Sequence, residues 1–147
     1  MFEKLLAFII LVRADVMTIE DYNICLDSLF LEDSENDFLI ELEFASKNID
    51  ETQNLISEYA YKEHQHLQYD IFGEILFKKS RQCYNRNEYS IKEFSSKMYH
   101  VWQLLPEEIS STKPFFALSY AGDCLSYGCE NQTRELYEEI FSYSWRN

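Results

Sequence analysis

A chain of 147 residues is most simply one domain, long enough to bury a core of its own. Its 26 acidic and 13 basic residues leave a net charge of −13, which disfavours direct binding to nucleic acid or an anionic membrane and favours basic partners. A hydrophobic fraction of 46% excludes a disordered acidic tail, and only 3 Gly and 2 Pro leave few residues for tight β-turns, so helices joined by polar loops are expected.

The first segment, Phe2 to Leu11, is apolar with almost no polar stripe, as in a buried helix. Its core, Leu5 to Val12, is too short to span a bilayer. Glu3 offsets Lys4 and Arg13-Ala14-Asp15 follows, which is not the pattern of a secretory signal; a cytoplasmic protein is expected. Thr18 and Asp21 form a capping-box pattern, and Ile19, Tyr22, Leu26, Leu29 and Phe30 then repeat at helical spacing.

Asp15 to Tyr61 holds thirteen acidic residues and one basic residue, Lys47, and so carries −12 of the total charge. The densest part is Glu32, Asp33, Glu35, Asp37, Glu41 and Glu43 around Phe38-Leu39-Ile40. Like charges this close repel and oppose compaction. Two readings account for them: a solvated face that keeps the chain soluble, or a docking surface for a strongly basic partner. On the second reading Tyr59 and Tyr61, at the end of the stretch, serve as aromatic anchors, against the alternative of core packing. Phe38 to Phe44 alternates like a strand, but a lone strand has no partner here, so a helix is predicted.

Asp50 is the expected cap of the next helix, whose stripe is Leu55, Ile56, Tyr59 and Ala60, with a break between His64 and Gln68. Leu67, Ile71, Phe72, Ile75 and Leu76 form the strongest stripe and are followed by Lys78, Lys79, Arg81 and Arg86, which suit the negative end of a helix. Ser90 and Glu93 form a second capping box, opening a helix that Pro106 ends. Pro114 starts a predicted helix from Phe115 to Leu125 with Gly128 as its C′ residue, and Asn131 is expected to cap a last helix through Leu136, Tyr137, Ile140, Phe141 and Trp145. The predicted fold is all-α, a single-domain bundle of six to eight helices over 1–147.

No nucleotide-binding, metalloprotease or serine-hydrolase motif occurs, and neither catalytic residues nor a cofactor are expected. Asp33, Glu35 and Asp37 resemble the start of a calcium loop, but Phe38 stands where that loop needs Gly and Phe44 where it needs Glu. Cys25, Cys83, Cys124 and Cys129 lack two tight pairs, and His64 and His66 on a helix point apart, so four reduced thiols and no metal are expected. The pair Glu63 and His64, and His100, have the chemistry of general acids and bases but no motif around them.

In size, acidity and helical character the chain resembles the immunity proteins of bacterial polymorphic toxin systems, including contact-dependent growth inhibition. Trp102-Gln103-Leu104-Leu105-Pro106-Glu107-Glu108-Ile109 also resembles a stretch in an uncharacterised family of bacterial helical proteins. The first resemblance implies tight cytoplasmic binding to one cognate basic toxin domain, most often a nuclease, whose active site is covered. The alternatives are a phage-type nucleic-acid mimic that blocks a DNA-binding protein, and an enzyme with an unfamiliar site.

Overall fold

The computed structural model describes residues 2–45, 47–63 and 67–145, and of 61–63 the backbone only. Of the described residues, 77% are helical and none is in a strand, so the chain is all-α. The α-helices are α1 (Phe2–Arg13), α2 (Ile19–Glu32), α3 (Asp37–Ala45), α4 (Ile49–Glu63), α5 (Tyr69–Arg86), α6 (Ile91–Leu104), α7 (Glu107–Ser110) and α8 (Glu130–Phe141). Two 3-10 helices, Phe115–Ser119 and Asp123–Tyr127, precede α8. The chain divides into two compact units, 1–72 and 73–147, and the division falls inside α5.

In the first unit α1 packs against α2 and α4, and α3 packs against the same two helices. Leu5 to Leu11 of α1 are all buried, which explains why this helix lacks a polar stripe. Arg13 at its end pairs with Asp50 of α4 at 3.0 Å and donates to Gln53 Oε1. The Thr18 hydroxyl accepts from Asp21 N, and Asp21 accepts in return from Thr18 N, so the expected capping box opens α2. Phe38 to Phe44 is helical, as expected; Asn36 caps α3, its Oδ1 accepting from Phe38 N at 3.0 Å and Leu39 N at 3.3 Å. The cap of α4 is Asn48, which accepts from Glu51 N at 3.1 Å, and not Asp50, whose carboxylate is drawn to Arg13. Phe38 of α3 stacks on Tyr59 of α4 with ring centroids 3.9 Å apart, and Phe2 lies against both.

The second unit is built on aromatics. Phe77 and Tyr84 of α5 contact Phe115, Phe141 and Trp145, and Phe94, Tyr137 and Phe141, respectively. The buried Tyr137 hydroxyl donates to Ser95 Oγ at 3.1 Å, and burial pushes its pKa up to about 12. Ser90 caps α6 by accepting from Glu93 N at 3.1 Å. Pro106 ends α6 as expected, and Trp102 Nε1 donates to Ser110 O at 2.8 Å, tying α6 to α7. The Trp102–Ile109 stretch is therefore a helix–proline–helix corner.

Residues 115–125 differ from expectation. They form two 3-10 helices, not one α-helix, and follow a cis Lys113–Pro114 bond. Phe115 and Leu118 of the first 3-10 helix are buried at a spacing of three, the period at which 3-10 side chains align, and Ala121 in the turn after it continues that spacing. Gly128 does close the segment, at φ 77°. α8 begins at Glu130 after Cys129, so Asn131 lies in its first turn instead of capping it.

Candidate functional site

Nearly all the net charge belongs to the first unit, with sixteen acidic and four basic residues against ten and nine in the second. The corner where α2 turns into α3 concentrates it. Asp33 N donates to Leu29 O at 3.1 Å, and the Asp33 carboxylate accepts from Asn36 Nδ2 at 3.2 Å, so the turn is tied at both sides. Glu32, Asp33, Glu35, Asp37 and Glu41 are all exposed on this corner. Glu32 and Asp33 also sit at the carbonyl end of α2, where no basic residue occurs in the last turn. A cation is favoured at such an end by about 0.3 to 1 kcal/mol, so two carboxylates there leave an unmet demand for positive charge.

Apolar side chains are set among these acids. Leu31 of α2 is 83% exposed and Phe44 of α3 is 86% exposed, with Ile24 at 68% one stripe back along α2. Asp27, Phe30, Leu31, Ile40, Glu43 and Phe44 line an open groove of about 580 Å³ between the two helices. The Glu43 carboxyl is held above its usual range, first by burial and then by its hydrogen bond to Asp27 and the charge of that group. Covering a Leu or Phe side chain fully is worth about 1.5 to 3 kcal/mol. A groove of this kind offers contact energy, and the acids around it select which surfaces receive it.

No protein-family model, curated protein or solved structure matches the chain.

The residues predicted from sequence thus fall into three places. Glu32, Asp33, Glu35, Asp37 and Glu41 form the exposed corner, and Glu43 lines the groove. Tyr59, half-buried, packs its ring on Phe38 and Phe2. The Tyr61 side chain, His64 and His66 lie outside the described residues, as does the Glu63 side chain. The sequence gives Ile24, Leu31 and Phe44 no place among the partner-binding residues. Ile24 and Leu31 are one heptad apart and off the stripe of Tyr22 and Leu26, which is the available signal.

A second concavity, about 470 Å³, belongs to the second unit and includes Lys92, Ser95, Ser96, Tyr99, Ser119 and Asp123. Ser119 Oγ donates to Phe116 O at 2.6 Å, and Ser95 receives Tyr137, so these hydroxyls serve local structure. Cys25 and Cys83 are buried, Cys83, Cys124 and Cys129 are free thiols, and burial raises the Cys83 thiol pKa. Among the described residues no helix is long and apolar enough to cross a membrane, and no group of three or more His, Cys, Asp or Glu could hold a metal ion.

Proposed function

We propose that the chain is an immunity protein, which binds a cognate basic toxin domain in the cytoplasm and covers its active site. One observation carries this reading: Leu31 and Phe44 stand exposed inside the most acidic face of the chain. A face that only kept the protein soluble would have no use for two large apolar side chains in water. A face that meets a phosphate-gripping nuclease would use both features, the acids to match its Lys and Arg clusters and the apolar residues to hold it. Steering by charge raises the association rate, and the desolvated centre sets the lifetime.

The test is co-expression with a panel of basic toxin domains, beginning with any nuclease-like reading frame that genome sequencing places beside this gene. Relief of toxicity together with a co-purifying complex is the expected result. Growth arrest despite full expression of both chains, with no complex by size-exclusion chromatography, would refute the reading. Binding to several unrelated DNA-binding proteins instead would favour a nucleic-acid mimic.

A further inference from the structure

We infer that the groove between α2 and α3 seats an amphipathic basic helix of the partner, with bulky apolar side chains against Leu31 and Phe44 and Lys or Arg along both edges. The inference rests on the reading above, that this face meets a basic protein, and adds which element of that protein docks and how.

The shape argues for a helix. Two adjacent helices leave a linear trough, and Ile24 and Leu31 extend the apolar surface along α2 over seven residues, or ~10 Å at 1.5 Å per residue. That length matches about two turns of a docked helix whose apolar residues recur at i, i+3 or i+4, and i+7. Charge argues for the edges. Asp27 and Glu43 line the groove itself, and the exposed Glu32 and Glu41 directly follow its lining residues Leu31 and Ile40 in the chain. A neutral apolar occupant would strip water from Asp27 and Glu43 and return nothing for it. Lys or Arg flanking an apolar stripe offers positive charge to the hydrogen-bonded Asp27–Glu43 pair and to the carbonyl end of α2.

The same charges disfavour the other occupants. A second copy of this chain would bring two faces of like sign together across the groove, and an anionic lipid surface is repelled for the same reason.

The test is a selection from a displayed library of helical 16-residue peptides against the purified full-length chain. Enriched peptides should carry bulky apolar residues at the stated spacing with Lys or Arg on both flanks. Their affinity should fall by at least about tenfold for Leu31→Ser/Phe44→Ser. Both positions are largely exposed, so this variant should keep its fold, and a circular dichroism melt checks that it does. Enrichment of peptides without basic residues, equal binding to the double variant, or no enrichment at all would overturn the inference. So would a dimer in sedimentation velocity that the double variant abolishes. The toxin arm separates the two claims. If a toxin domain that the wild type neutralises binds the double variant as tightly as wild type, the groove inference fails and the immunity reading stands. If the selected peptides behave as expected but no toxin domain of the panel binds, the immunity reading fails and the groove stands.

Discussion

Glu43 shows in one side chain the tension built into the acidic face. Burial and Asp27 both favour its neutral form, so its folded pKa lies above the unfolded one. A carboxyl shifted this way contributes to stability below its unfolded pKa, and the contribution is lost as pH rises through the folded value. Glu43→Gln keeps the shape and removes the charge. At pH 7 the variant should be more stable than wild type by a few tenths of a kcal/mol, in keeping with a partly exposed pair. Near pH 4 the advantage should shrink or vanish, because the wild-type carboxyl is then largely neutral. Paired thermal melts at the two pH values decide it, and a variant less stable than wild type at pH 7 would show that the charged pair is not strained. The residue scale also explains what sequence could not convey. An acid's charge is written in its name, so the corner from Glu32 to Glu41 was legible. The exposure of Leu31 and Phe44 depends on which faces α1 and α4 take from α2 and α3, and no local pattern states that.

Elements were legible where local chemistry fixes them. Thr18 with Asp21 and Ser90 with Glu93 name their own helix starts, because a hydroxyl three residues before an acid satisfies free backbone donors. The start of α4 was misplaced by two residues, since Asn48 and Asp50 are both good caps and the Arg13–Asp50 pair belongs to tertiary structure. Residues 115–125 were misread because an apolar run gives period only through burial, and here the buried set repeats every three residues. The chain after α8 offers a test at this scale. A Cβ placed on Gly73 would lie 2.1 to 2.6 Å from ring carbons of Trp145, so the glycine makes room for that indole on α5. Gly73→Ala should therefore cost about 1 to 3 kcal/mol through overpacking. In a Trp145→Ala background the same change should cost clearly less, since the clash is gone. Urea titrations of the four proteins measure both, and equal costs in the two backgrounds would show that Trp145 does not depend on this gap.

At the scale of the molecule, charge is partitioned: the first unit carries the net acidity and the second is nearly balanced. Such asymmetry orients an approaching cationic partner before contact, within a range of about 8 to 10 Å at physiological salt. The all-α class follows from the same composition that sequence displayed, many apolar residues with few Gly and Pro. The partner-binding reading was legible as charge alone, and the groove that gives it an energetic centre became visible only with the helices in place. The central claim, that this face steers and holds a basic toxin domain, is tested most directly by association kinetics at two salt concentrations. The proteins are wild type and a variant with Asp33, Glu35, Asp37 and Glu41 changed to Lys, each measured with a toxin domain that the wild type neutralises on co-expression. The variant should keep its fold, since like-charge repulsion falls, associate at least about tenfold more slowly at low salt, and lose most of the salt dependence. A variant that binds as fast and as tightly as wild type at both salt concentrations would contradict the claim and leave the acidic corner a solvated surface.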